Sequence, residues 1–197
     1  EFINKNEYKK VKKKEPARAP AGESIDKRPE EIQSREEFGH WEIDTVIGSK
    51  SKKDEVLLTL VERKTRNAMV RKISGKTADA VMAELYQLKE YFGSEFSRVF
   101  KTITSDNGSE FSDLSALRTS NTKIYFTHPY SSFERGTNER HNGLLRRFIP
   151  KGRRISHYSH EAISLLEDWI NNLPRKILGY KTPEELFDLE LDLIYSQ

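Results

Sequence analysis

Three acids stand apart by their surroundings: Asp44 in HWEIDTVIG (residues 40–48), Asp106 at the head of DNGSEF, and Glu139 in FERGTNERHNGLLRRFIPKG (residues 133–152). Asp44 is flanked by Trp41, Ile43, Thr45, Val46 and Ile47, the β-branched and aromatic content of a buried strand. A carboxylate there requires a hydrogen bond, a proton, an opposing charge or a metal ion, because burial without one costs several kcal/mol. Asp106 follows a short strand predicted over Lys101–Ser105, and Asn107 and Gly108 tolerate the turn at its exit. Glu139 opens a run in which Leu144, Leu145, Phe148 and Ile149 recur at helical spacing until Pro150 and Gly152 end it. Taken singly, Asp106-Asn107-Gly108 reads as an ordinary turn and Glu139 as a solvated helix residue. In combination, two strand-borne aspartates and one helix-borne glutamate meet at one sheet edge and propose a carboxylate cage for divalent metal, hence phosphoryl transfer.

The elements that must position these acids follow from pattern. Residues 54–66 (DEVLLTLVERKTR) and 67–74 (NAMVRKIS) read as strands that continue the Asp44 strand as an antiparallel meander. Residues 77–92 form a helix with Ala80, Val81, Leu85, Leu88 and Phe92 on one buried stripe and Gly93 just beyond. The Asp106 strand, a short helix near 112–118, a strand at 123–127, the Glu139 helix and a long helix over 160–173 follow, and Thr182-Pro183 starts one more. The order predicts an α/β domain with a mixed five-stranded sheet and helices on both of its faces.

Charge is concentrated at two places. Residues 1–28 carry nine Lys or Arg against five acids, a net of +4, so the remainder of a +3 chain is about −1. With Pro16, Pro20 and Gly22 among polar residues, the first 34 residues read as a flexible basic arm or linker ahead of a core spanning 35–197. The second cluster, Arg146, Arg147, Lys151, Arg153 and Arg154, falls within nine residues that contain no acid, just past the helix that bears Glu139. Arg135, Glu139, Asn142 and Arg146 are spaced to share one helix face, and Asn138 is counted with them as a DNA-facing group. Guanidinium forks match phosphate geometry, which suits a helix laid along a DNA backbone.

Composition sets the remaining bounds. A chain of 197 residues with 35% hydrophobic and 10% aromatic content can bury one sizeable core. The absence of cysteine excludes disulfides, thiolate zinc sites and cysteine nucleophiles. No apolar run approaches the roughly 20 residues of a membrane span and no signal peptide is visible, so a cytoplasmic protein with neither membrane partner nor small-molecule substrate is expected. His128 and His141 read as structural histidines, and His40, Trp41 and Trp169 as core or hinge residues. Nothing in the chemistry calls for a covalent intermediate on Ser105 or Tyr130.

WEIDTVIG, TSDNGSEF, THPYSSFERGTNERHNGLLRRFIPKG and NNLPRKILGYKTPEELF resemble the catalytic core of DDE transposases from bacterial insertion sequences, most narrowly the insertion-sequence-thirty (IS-thirty) family. The blocks span residues 40–187, and the third is highly specific. The resemblance implies a ribonuclease-H-like fold shared with retroviral integrases. The family's metal ligands fall on Asp44, Asp106 and Glu139, the last two 33 positions apart. It further implies Mg2+, with Mn2+ as a substitute, bound as two ions when DNA is present. The partners it implies are transposon ends and target DNA, with a homo-oligomeric active complex near the bacterial nucleoid. The family's helix-turn-helix domain has no match at the N-terminus, and a start at Glu1-Phe2 without Met reads as a fragment. Two alternatives stay open: a nuclease of the same fold that only hydrolyses, and a domesticated DNA-binding or assembly module without catalysis.

Overall fold

A computed structural model of the chain describes residues 22–51, 53–118, 121–129, 131 and 136–196. The basic arm up to residue 21, Tyr130 and Arg135 lie outside the described residues. In chain order the elements are β1 (Glu23–Ser24), α1 (Glu31–Ser34), β2 (His40–Ile47), β3 (Val56–Glu62), β4 (Ala68–Ile73), α2 (Ala78–Phe92) and α3 (Phe96–Val99). There follow β5 (Thr102–Ser105), β6 (Lys123–Phe126), α4 (Gly136–Phe148), α5 (His160–Asn171) and α6 (Pro183–Tyr195). Where a short helix was expected near 112–118, a single 3-10 turn covers Leu114–Leu117.

The strands form one mixed sheet in the order β1-β6-β5-β2-β3-β4. β2, β3 and β4 are the antiparallel meander, while β5 joins β2 in parallel and β6 joins β5 in parallel. Among the described residues the sheet has six strands, one more than the five expected, because Glu23 and Ser24 pair with Tyr125 and Phe126. That pairing also moves the arm's boundary. Ile25 and Ile32 are buried, and Arg28 donates to Thr104 Oγ1 at 3.2 Å, so residues 22–34 pack onto the core and are not a free linker. Two residues of strand carry no readable periodicity, which is why composition alone assigned them to the arm.

Alternation along β2 divides its side chains between two hydrophobic layers. Trp41 and Ile43 enter the larger cluster with α2, α3 and α6, where Trp41 stacks on Phe100 at 4.6 Å. Val46 enters the second cluster with Leu57 and Val61 of β3, Leu145 of α4 and Ile163, Leu166 and Ile170 of α5. Helices therefore cover both faces, and Glu42 and Asp44, in phase with Val46, lie on the α4–α5 side.

The helices begin where local chemistry satisfies their free N–H groups. Thr77 caps α2, Ser159 caps α5, and Thr182 with Glu185 forms a reciprocal capping box on α6 behind Pro183. For α4 the cap comes from another element. Glu42 of β2 accepts from the N–H groups of Thr137 at 3.1 Å and Asn138 at 2.9 Å.

Candidate active site

Asp44 sits near the middle of β2, and Asp106 is the first residue past the end of β5. These strands pair in parallel with Glu42 opposite Thr104, and the same register two residues on sets Asp44 level with Asp106. Neighbouring strands lie about 4.8 Å apart, so the two aspartates are side by side on one edge. Both are partly exposed.

Each aspartate is oriented by donors. Asp44 accepts from the Thr45 N–H at 2.8 Å and from Asn142 Nδ2 at 2.9 Å. Asp106 accepts from the Gly108 N–H at 2.9 Å, and Asn107 anchors the same turn by donating to the Thr127 carbonyl at 2.7 Å. Gly108 has no room for a side chain: a Cβ would stand 2.5 Å from Glu110 Oε2 and 2.9 Å from Asp106 Oδ1. The Asn-Gly pair read as a turn is thus a close approach of backbone to two carboxylates.

Glu139 is exposed on α4, one turn before Asn142. Among the described residues, no three Asp, Glu or His side chains converge tightly enough to grip a metal ion. The register brings Asp44 and Asp106 together, and Glu139 stands on the adjoining helix without closing the group. The donor set still fits a hard cation such as Mg2+: every available ligand is carboxylate oxygen, and all three acids have solvent access.

Two further acids shape the site and escaped the sequence reading. Glu42 is fully buried, pairs with Arg63 Nη1 at 2.6 Å and ties the start of α4 to the strand that bears Asp44. Its position two residues before Asp44 places it on the same strand face, which is the signal that could have revealed it. Glu110, buried within the DNGSEF block, takes the Thr45 hydroxyl at 2.9 Å and Lys76 Nζ at 2.9 Å, and so braces the Asp106 turn against β2.

The groups expected to face DNA divide. Asn138 leaves that set: it is fully buried, donates to the Glu42 carbonyl at 3.2 Å and accepts from Thr59 Oγ1 at 3.0 Å. Asn142 turns inward to Asp44, and Arg146 donates to the carbonyl at the end of β2, Ile47, at 2.8 Å. Arg147, Lys151, Arg153 and Arg154 are exposed. Their segment is clamped over the β2–β3 connection by Gly152 N–H to the Gly48 carbonyl at 2.8 Å and by Asp54, which accepts from the Ile155 N–H at 3.0 Å. His141 is buried, with Nδ1 2.9 Å from the Thr137 carbonyl oxygen and Nε2 2.9 Å from that of Arg66. His128 is exposed and lies 3.0 Å from Asp26.

The family model described as "Integrase core domain" matches residues 34–132, half of the chain and both aspartates. The chain belongs to the integrase core domain family. Within that family its relatives include a probable transposase for insertion-like sequence element IS1161 of Streptococcus salivarius, 44% identical over 92% of this chain and 51% of that protein. The transposase for insertion sequence element IS4351 of Bacteroides fragilis is 41% identical over 85% of this chain and 50% of its own length. The transposase InsI for insertion sequence element IS30A of Escherichia coli K12 is 36% identical over 85% of this chain and 42% of that protein. The resemblance to the IS-thirty transposases read from the motifs therefore holds, and the chain spans about half the length of these relatives. Among solved structures, the catalytic core domain of BIV integrase matches with a TM-score of 0.55 and 20% identity, covering 82% of this chain and all of that one. The ribonuclease-H-like fold, with helices on both faces of a mixed sheet, is the one the sequence implied. Integrase cores of this family work with divalent metal ions.

Proposed function

We propose that this chain is the catalytic core of a transposase that cuts DNA at the ends of a mobile element and joins those ends to target DNA. The observation that carries the reading is the level placement of Asp44 and Asp106 on adjacent parallel strands, with the Glu139 helix fastened to the first of them through Glu42 and Asn142. Asp44, Asp106 and Glu139 would hold two Mg2+ ions, for which Mn2+ substitutes. Bound there, such ions activate an attacking oxygen and stabilise the leaving one in an in-line displacement.

The chain's own residues orient and attract. Asn142 and the Thr45 N–H fix the Asp44 carboxylate, and the Gly108 N–H fixes that of Asp106. Arg147, Lys151, Arg153 and Arg154 present an exposed cationic run next to this edge, suited to DNA phosphates in the manner expected of non-specific backbone contacts. No side chain needs to act as a nucleophile, since water and then a DNA 3′ hydroxyl fill that role. Action as a homo-oligomer in the bacterial cytoplasm belongs to the same reading. No helix among the described residues is long and apolar enough to cross a membrane.

The test is a cleavage and joining assay with labelled element-end duplexes in Mg2+ or Mn2+, run with wild type and Asp44→Asn. Products with new 3′ hydroxyls that vanish with EDTA and in the variant support the reading, and joined products distinguish transfer from hydrolysis. Metal-independent cleavage, or full activity in Asp44→Asn, would overturn it. Light scattering with and without DNA measures the assembly.

A further inference from the structure

One flank of α4 borders a second electropositive feature. A cavity of about 140 Å3 is lined by Arg66, Arg140 and Arg175, with the apolar Leu144 and Ile177 in its wall. Among the described residues no Asp or Glu lines it. Arg66 Nη1 donates to the neutral Thr137 hydroxyl at 2.9 Å and Arg175 Nη2 to the Ile170 carbonyl at 2.9 Å. Arg175 Nε is buried with no hydrogen-bond partner among the described residues. Arg140 is exposed, and among the described residues it forms no ion pair. The acids that Arg66 feels, Glu42 and Glu62, are committed elsewhere, the first to Arg63 and the start of α4, the second to the turn at Lys64 and Thr65. Burial, and next Arg35, hold the Arg66 guanidinium down to about 10, which leaves it charged at neutral pH.

Three like charges around a half-enclosed space repel with less screening than in open water, and an anion placed among them reverses the sign of that interaction. Guanidinium forks fit the paired oxygens of a phosphate, and the Leu144 and Ile177 wall suits the carbons of a sugar attached to it. Arg140 directly follows Glu139, so the cavity opens beside the helix that carries the third acid.

We propose that this cavity is a phosphate subsite for the DNA backbone, gripped by Arg140 and Arg175 with Arg66 as the charge behind them. The assignment rests on the DNA-cleaving reading above and adds a strand contact on α4 apart from the basic run after it.

The test compares wild type with Arg140→Gln, Arg175→Gln and the double variant. Thermal unfolding is followed in sodium phosphate and in sodium chloride at equal ionic strength, and duplex DNA affinity is measured across a salt series. Phosphate should raise the wild-type midpoint beyond chloride and fail to do so in the double variant. DNA affinity of the double variant should fall about ten-fold with a salt slope shallower by about one, the signature of a lost phosphate contact. Arg140→Lys, which keeps the charge without the fork, should recover part of the affinity if Arg175→Gln proves unstable in the double background. Unchanged DNA affinity and slope overturn the proposal, and a phosphate response without a DNA effect overturns the assignment to DNA in favour of a free phosphate. Asp44→Asn separates the two readings: it should lose cleavage yet keep the phosphate response. A wild type that cuts no DNA but loses affinity in the double variant would sink the catalytic reading alone.

Discussion

Asn142 Nδ2 donates to Asp44 Oδ2 at 2.9 Å, and the amide's own oxygen, Oδ1, is buried with no hydrogen-bond partner among the described residues. One turn of α4 thus fixes the carboxylate on β2 that is proposed to hold metal, and Glu139 rides on the same turn. Groups that orient a ligand in this way typically contribute 10–100-fold to metal affinity or activity, by a rough general measure. Asn142→Ala is expected to lower cleavage by about that factor, raise the Mg2+ concentration for half-maximal rate and leave the melting temperature nearly unchanged. A Mg2+ titration of the variant checks this, and an unaltered titration curve would remove Asn142 from the site. Asn142→Asp should be worse, since it sets a second negative charge against Asp44.

Glu42 is a helix cap supplied by a strand. Its carboxylate, fully buried, receives Arg63 Nη1 and two α4 N–H groups, so truncation leaves a buried guanidinium and two donors without their acceptor. Removing one partner of a buried pair costs roughly 3–5 kcal/mol, which for a domain of this size lowers the melting temperature by about 10 °C. Glu42→Ala is expected to show that loss in calorimetry. Glu42→Gln keeps an acceptor for the N–H groups and should lose less. Equal stability of wild type and Glu42→Ala would show that α4 is held by its apolar face alone.

Gly48 decides how the basic segment meets the sheet. A Cβ there would lie 2.2 Å from the Arg153 carbonyl oxygen and 3.0 Å from Ile155 Cδ1, and the Gly48 carbonyl already receives the Gly152 N–H. Gly48→Ala must push residues 152–155 outward. The expected cost is about 1–3 kcal/mol, typical of overpacking, together with weaker DNA binding because Arg153 and Arg154 shift. Denaturant unfolding and DNA affinity at fixed salt measure both effects. A drop in stability with no change in affinity would mean that these arginines do not contact DNA.

The parts of this molecule that could be read in advance are those whose partners lie close in sequence. The meander, α2 with its Thr77 cap and the α6 start at Thr182-Pro183 announce themselves through period and local chemistry. The acids at 44, 106 and 139 stand out by their surroundings and gain a shared role from motif likeness, but the level placement of the two aspartates comes from the parallel register of β2 and β5, and that of Glu139 from the fastening of α4 to β2, both tertiary facts. Asn138 shows the limit. A polar residue on a charged helix reads as a DNA-facing group, yet it falls on the sheet-facing stripe with Leu145 and is satisfied by Glu42 and Thr59, partners 96 and 79 residues away. Glu42 escaped for the same reason: an acid in an apolar strand is legible as anomalous, but its use depends on an arginine and a helix that only folding brings near. The strand at Glu23–Ser24 is simply too short to carry a pattern.

Asp54 supplies the pH dependence of the clamp over the β2–β3 connection. Burial alone would raise this carboxyl, but the Ser156 and Ile155 donors, with Ser49 Oγ at 3.1 Å, outweigh it and hold it at about 2, below its ordinary 3.8. Arg154 Nε, 3.7 Å away, adds a distant positive charge. A carboxyl whose folded value is depressed binds fewer protons folded than unfolded, so its contribution is complete above about 3.8 and is lost as pH falls toward about 2. Asp54→Asn cannot titrate and should be less stable than wild type at neutral pH, with the gap closing across that acidic window. Urea unfolding of both proteins from pH 6 downward, in steps of roughly half a unit, reads the gap directly. A gap that stays constant to the lowest pH at which both remain folded would show that the ionised form of Asp54 does not hold the segment bearing Arg153 and Arg154 in place.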